Sequence, residues 1–581
     1  MAKHDIDKWR DRIDAGIRYK EKFGNSKNWS TYKDYYRGKF PGYTSSLDSG
    51  GVLPFNLVYA MKSTLIPNVY FRNPYMTVSP RYKPNMEIHA KVVEAVDNWL
   101  IQELAIKKAM KHSAGSAYFT NKGFIKVGYD SEFGFAPNKV QSDLGFNDTT
   151  FTSFSKKGEQ IEYNTNIKPG MPWAISVPSE NIIVPFGLYD FDDCPWIDHV
   201  VIRPLEDVKA DTKYTNTKDL SGTHIETLKK DPLKAQFYSE LEKDAEYVEL
   251  HEIRDLRSGQ IMVMVMGHPK WLRGPEKDVL QLEGLPFVDV GFNDDTEIFW
   301  GPSDVQIMEP QVLEMNEART QAMLHRRVAL LKFMYEDGSI EPAELDKMLS
   351  ENVGPAVKTK GKPGEVISIL QPKIPLDLVS WTDLIRSDVR ELLGQGRHQM
   401  GETSRSARTT ATEASIVQMA HDLRMDERRD MLADSLVKVM RKLNQIVFKF
   451  WSAKRVVQVV GYDGARYWIE YTNEGIRGEY NLTVDVESMT PTTKALKRRD
   501  LVQLIQALGK NPRVNIDYLL KALLREFPYI DAMKVLPEAP ETMGGKPMSV
   551  DQFAGQQQKL LASPEMLGAR TRKNASMVGG A

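Results

Sequence analysis

The chain has 581 residues, 41% of them hydrophobic and 27% charged, with 77 basic against 78 acidic side chains and a formal net charge of −1. That apolar content excludes wholesale disorder and is enough for about four domains' worth of chain. The balance of charge excludes a tight, sequence-reading nucleic-acid binder, which needs a basic excess to neutralise phosphates, but it leaves room for weak or sliding contact at a local basic spot.

Trp9, Ile13 and Ile17 recur at helical spacing among charges, which predicts an amphipathic helix over 5–22. An aromatic stretch follows at 28–40. Asn56 is placed to cap a helix starting at Leu57. A long helix is expected at about 86–112, with Val92, Val93, Val96, Trp99, Leu100 and Leu104 towards a core. Residues 118–205 read as short strands and long loops, including 124–127 and 173–177. A polar helix-and-loop region at 206–245 precedes a hairpin, 247–254 and 261–266 around Ser258-Gly259.

The second half reads differently. A helix is expected at 304–335, with Pro310 near its start or at a kink. A small insert rich in Gly, Pro and Lys occupies 336–373. A helix returns at 376–393 and stops at Gly394-Gln395-Gly396. After a polar loop, Thr410-Ala411-Thr412-Glu413 matches a capping box and opens the longest helix, free of Pro and Gly through residue 451 and about 60 Å long if straight. A kink near 421–429 is the alternative. Strands are expected at 455–487 and helix at 492–535. From about 538 the Gly, Pro, Gln and Ser content predicts a poorly packed or partner-dependent tail. No internal repeat is visible.

Several chemistries lack their motifs. Gly-Lys occurs four times but is followed by Phe40, Pro363, Asn511 and Pro547, never by the hydroxyl that a phosphate-binding loop needs for magnesium. His251-Glu252 has no second imidazole for zinc. There is no Gly-x-Ser-x-Gly elbow, and Gly394-x-Gly396 lacks a third glycine, since Gln399 stands there. No cofactor, metal site or catalytic residue is expected. His325 and His421 read as ordinary helical histidines, and the acidic groups Asp190, Asp192, Asp193, Asp294 and Asp295 as solvated loops. The single cysteine, Cys194, excludes an intramolecular disulfide and is expected to be a small buried apolar group, in keeping with a reducing compartment. There is no signal-peptide core and no apolar run near the roughly 20 residues that span a bilayer.

From residue 285 the order of motifs resembles the portal proteins of tailed bacteriophages. Leu285-Pro286-Phe287-Val288 leads to Trp300-Gly301-Pro302-Ser303-Asp304, then to Gln311, Asn316 and Arg319. Helix, small insert, helix, polar loop and very long helix follow in the family's order. Arg408-Thr409-Thr410-Ala411-Thr412-Glu413-Ala414 is similar to the family's opening of the long helix, and Arg72-Asn73-Pro74-Tyr75-Met76-Thr77-Val78 is also portal-like.

The resemblance implies an α+β portal fold with helical stem, small α/β clip, mixed α/β wing with a long kinked helix, and helical C-terminal crown. Residues 1–303 and 410–490 would be wing, 304–335 and 374–394 the stem helices, 336–373 the clip, 395–409 the tunnel loop, and 491–581 the crown and tail. It implies a virion component at one capsid vertex, assembled in the host cytoplasm. The partners would be other copies in a ring of about twelve, double-stranded DNA in the channel, the terminase large subunit, a head-to-tail adaptor, and the major capsid and scaffolding proteins.

The loop residues suit that role. Arg397, Arg405 and Arg408, with His398 and the hydroxyls of Thr403, Ser404 and Ser406, can meet phosphate oxygens without reading bases. An ordinary solvated loop is the alternative. Lys358, Lys360 and Lys362 would face the terminase or the adaptor, or simply make a soluble surface. Another virion component, or a nucleic-acid-processing enzyme, are the competing functions.

Overall fold

The apolar stripe of the first helix, Ala2–Phe23, is Ile6, Trp9, Ile13 and Ile17. In the computed structural model it covers one face of a five-stranded antiparallel sheet. In spatial order the strands are Ile182–Ile183, Trp196–Pro204, Tyr247–Asp255, Gln260–Met264 and Arg273–Lys277. Alternation sorts their side chains. Ile253, Met262 and Met264 face the helix, while Val248, Leu250, Val263 and Val265 face a second cluster with Leu205, Val208 and Leu272. Gly259, at φ 64°, makes the turn of the expected hairpin.

The structure describes residues 2–42, 54–70, 74–81, 86–129, 171–211, 213–222, 246–328, 332–335, 337–349, 358–362, 367–370, 377–394, 411–451, 455–460, 466–472, 476–484, 494–508, 519–520, 523 and 548–561. These fall into two units. One comprises 1–30, 63–303 and 422–581; the other comprises 31–62 and 304–421. Residues 31–62, read from the sequence as part of the amino-terminal block, thus group with the stretch that begins at Asp304.

The first unit also holds a three-stranded antiparallel sheet, with Lys122–Tyr129 between Pro172–Val177 and Phe287–Gly291. Met76–Pro80 pairs with Tyr480–Val484, and Arg455–Val460 pairs with Arg466–Tyr471. The long helix, Ala411–Phe450, runs unbroken for 40 residues. Leu432, Leu436, Val439, Met440, Leu443, Ile446 and Val447 on it are all buried.

Three expectations need correction. The helix expected over 86–112 is two helices, Glu87–Glu103 and Ile106–Thr120, broken at Ala105 with φ 50°. The break lets Ile106 and Met110 point into the core, and Trp99 is 41% exposed rather than inward. The helix expected over 304–335 ends at Val328, and Lys332–Tyr335 is a strand antiparallel to Ile367–Leu370. The tail is not wholly unpacked: Met548–Ser549 adds in parallel to Arg466–Tyr471, and Val550–Leu561 is a helix with Phe553 fully buried. Beyond the helix Lys494–Leu508, most of the segment expected to be helical to 535 lies outside the described residues.

Buried charges in this unit are mostly paired. Lys126 meets Glu252 at 3.2 Å, and Arg254 bridges Glu252 and Asp278. Asp97 is different. Asn444 Nδ2 donates to one of its oxygens at 3.0 Å, while its other oxygen and Asn444 Oδ1 have no hydrogen-bond partner among the described residues. Burial, with some help from Glu94, pushes this carboxyl up to about 8. The folded chain therefore keeps a proton there that the unfolded chain releases near the ordinary carboxylate value, and stability falls as pH rises between about 4 and 8. The expected slope is about 1.4 kcal/mol per pH unit. Asp97→Asn should flatten it, matching the parent near the acid end and exceeding it in urea midpoint near the alkaline end; parallel pH profiles would contradict this.

Candidate helix-pair site

Helix Asp304–Val328 and helix Asp377–Leu393 pack on each other. Val305, Met308, Val312 and Met315 are buried on the first, and Ile385, Val389 and Leu393 on the second, each set at helical spacing. Each such side chain contributes about 1.5–3 kcal/mol by leaving water. Pro310 sits inside the first helix. Gly394, at φ 64°, closes the second through a bond from its amide to the carbonyl of Glu391.

The described residues of 31–62, which are 31–42 and 54–62, form a strap on this pair. Tyr32 and Tyr35 donate to the Glu309 carboxylate at 3.3 and 3.0 Å. Burial, then the Glu309 charge, pushes the Tyr35 hydroxyl up to about 12. Asn56 caps helix Leu57–Val69 by accepting the Tyr59 amide at 2.9 Å. Asn316 Oδ1 accepts the Phe55 amide at 2.7 Å, and Thr320 Oγ1 closes on the Asn316 carbonyl.

The guanidiniums of Arg319 and Arg386, one from each helix, both lie over the Phe55 ring, 4.8 and 4.7 Å from its centre. Neither has a hydrogen-bond or carboxylate partner among the described residues. At a separation within about 10 Å the two charges repel by roughly 0.5 kcal/mol in water and about 2 kcal/mol at a protein-like dielectric. The electron-rich ring face offsets part of this. Asn316 and Arg319 stood out in the sequence as motif residues. Their partner Phe55 did not, because an interaction across more than 260 positions leaves no local pattern.

The opposite side of the second helix is open. Trp381 and Leu384 are each 49% exposed, and Leu392, Asp388 and Glu391 are exposed beside them. Trp381 Nε1 donates to Glu314 of the first helix at 2.8 Å. Across the pair, Glu314, Glu317, Asp383, Asp388 and Glu391 are exposed, against Arg326 and His325.

Lys358, Lys360 and Lys362 do not make an unbroken basic face. The chain at 358–362 is held by the Ile340–Thr359 bridge, by the Lys360 amide on the Ser339 carbonyl, and by the Lys358 amide on Glu344. Lys360 Nζ lies 3.3 Å from Glu341, and Lys347 pairs with Glu344. Lys358, Lys360 and Lys362 are exposed but interleaved with these acids. The seven candidate DNA-contacting residues, Arg397, His398, Thr403, Ser404, Arg405, Ser406 and Arg408, lie outside the described residues.

In the first unit, Cys194 is buried, its Sγ 2.9 Å from the Trp196 carbonyl, and burial pushes its thiol up to about 12. Asp192 pairs with Lys438 and Asp294 with Lys122. His251, from the failed zinc motif, is buried mid-strand against Asp198 at 2.6 Å; burial opposes its charge, but the Asp198 carboxylate holds it above the ordinary imidazole value. Among the described residues, no three His, Cys, Asp or Glu side chains converge as metal ligands, and no helix is long and apolar enough to cross a membrane.

A family model described as phage P22-like portal protein matches residues 162–577, more than two thirds of the chain. No curated protein matches it.

Asn316→Ala removes the acceptor for the Phe55 amide and frees the strap. We expect a loss of about 1–2 kcal/mol, read as a lower denaturant midpoint. An unchanged midpoint would show that the strap is held without this bond.

Proposed function

This chain belongs to the phage P22-like portal protein family, and on that premise we propose that it is one subunit of a ring at a single capsid vertex, whose axial channel passes double-stranded DNA during packaging and ejection. The family is a structural component of the virion and implies a ring-forming oligomer that meets capsid, terminase and DNA. In the proposed assignment, helices Asp304–Val328 and Asp377–Leu393 are the stem that lines the channel. The described strands and helix between them are the clip, which docks the terminase large subunit and later the head-to-tail adaptor. Residues 395–409 are the tunnel loop, the sheets of the first unit are the wing, and the chain from 491 onward is the crown and tail.

The observation that carries this reading is the helix pair itself, read together with the family match. Its seam is complete within one chain, yet Trp381, Leu384 and Leu392 remain exposed, as they would if a neighbouring subunit covered them. Its exposed charge is mainly acidic, so a duplex beside it would be repelled rather than held. Grip would come from Arg397, Arg405 and Arg408 of the loop, a few weak phosphate contacts per subunit. This division of labour suits a passive conduit and calls for no catalytic group.

Purified chain should form closed rings of about twelve subunits by electron microscopy and native mass spectrometry. A chain that stays monomeric at micromolar concentration in every buffer would overturn the assignment. Arg397→Ala, Arg405→Ala and Arg408→Ala together should leave rings intact but change the amount of DNA packaged or retained. Unchanged packaging would remove the loop from the mechanism.

A further inference from the structure

We propose that the Arg319–Phe55–Arg386 cluster is one half of the contact between neighbouring subunits, and that its occupant is the acidic, apolar face of a second copy of this chain, carrying Asp388 and Glu391 beside Trp381 and Leu384. The proposal rests on the ring reading and names the surfaces that close the ring.

The argument begins with what is unsatisfied. A guanidinium offers five N–H donors, and an aromatic face accepts none of them as a conventional hydrogen bond. Arg319 and Arg386 are both half-buried, so each has lost part of its water, and each has only the Phe55 ring as a partner among the described residues. A carboxylate would relieve the repulsion between them, and it takes a guanidinium fork in two parallel bonds.

The complementary surface is on the same helix pair. At about 100° per residue, Trp381, Leu384, Asp388, Glu391 and Leu392 fall within roughly 100° of arc, and all are exposed. Arg386 points to the roughly opposite side of that helix. Asp388 has no partner among the described residues. A protomer therefore presents unpaired cations on one side and an exposed carboxylate flanked by bare apolar surface on the other. Two different, mutually complementary faces make a head-to-tail contact, and such contacts close into rings when the rotation per step allows it. Removing apolar surface from water supplies the driving force, and the charges fix the register.

A duplex phosphate could also meet the two guanidiniums. The second copy is favoured because it accounts for the exposed apolar side chains as well, which a phosphate backbone would leave bare.

The test uses two full-length double variants and native mass spectrometry. Arg319→Glu with Arg386→Glu makes both faces acidic. Asp388→Lys with Glu391→Lys makes both basic. Each alone should stay monomeric at concentrations at least tenfold above those at which the parent assembles. Mixed one to one, they should recover rings of alternating subunits, even in number, because each altered face then meets its opposite. Circular dichroism checks that each variant is folded; should the arginine variant unfold, the lysine variant, altered only at exposed positions, decides alone by assembling or not. Variants that assemble as the parent does, or folded variants that do not rescue each other, overturn the proposal. Normal rings that lose duplex binding only in the arginine variant overturn it too, and assign the guanidiniums to phosphate. A parent chain that forms no ring overturns the portal reading beneath it.

Discussion

Two helices of 25 and 17 residues, joined by an insert, stay together only through the stripe that each buries in the other. Every other feature of the second unit is conditional on that seam. It brings Arg319 and Arg386 to the same ring, places Glu309 under Tyr32 and Tyr35, and sets Glu314 opposite Trp381. An isolated helix of either length is marginal in water, because nucleation is costly and each added bond gives little. The pair therefore forms as a unit, and the strap of residues 31–62, bonded to it by Asn316 and Glu309, shares its fate. One consequence is geometric. Once the inner stripe is spent on the seam and one flank on the strap, Trp381, Leu384 and Leu392 are left exposed.

The first unit solves a different problem. The central strands of its larger sheets are buried along most of their length, so several polar side chains on them are cut off from water. Lys126, Glu252, Arg254 and Asp278 meet one another instead, and Lys20 reaches from the first helix to the carbonyls of Glu180 and Ile182 at 2.7 and 2.9 Å. Buried pairs of this kind add little net stability, because desolvation consumes most of the attraction. Their effect is on registry. Lys126 and Glu252 stand on strands of different sheets, so a one-residue slip of either strand within its own sheet would turn one of them to the opposite face and leave two buried charges unpaired.

What could be read in the sequence was what is written locally. The first helix follows from three apolar residues at helical spacing, the hairpin from alternation around Ser258-Gly259, and the end of helix Asp377–Leu393 from Gly394. What could not be read is decided at a distance. Nothing in Leu104-Ala105-Ile106 marks a break; the chain turns there because Ile106 and Met110 gain more by entering the core than a straight helix loses at Ala105. Lys332–Tyr335 continues the apolar pattern of the preceding helix and becomes a strand only because Ile367–Leu370 lies beside it. The tail was read from composition, which carries no sign that Phe553 finds a pocket. The arginine cluster was half visible, since Arg319 belongs to the motif that carries the family resemblance while Phe55 looked like no more than the residue before a helix cap.

A conduit for DNA on the proposed reading has to avoid being a binder, and the charge balance bears on how it could. If every subunit of a ring donated even one strong phosphate contact, the contacts would sum around the circle and the duplex would be held, since affinity rises steeply with the number of phosphates neutralised. A chain of net charge −1 avoids this in one of two ways: by having no local basic spot, or by setting each one beside an acidic surface. The helix pair favours the second. Its arginines over Phe55 are half-buried, and its exposed charges are mostly carboxylates, so a duplex there meets repulsion within a Debye length of about 8–10 Å. Against that background, on the proposed reading, Arg397, Arg405 and Arg408 could contact the duplex without stalling it. The same reasoning favours the proposal that the arginines over Phe55 lie between protomers, where a carboxylate would neutralise them, over a place on the channel surface, where each would add to the grip.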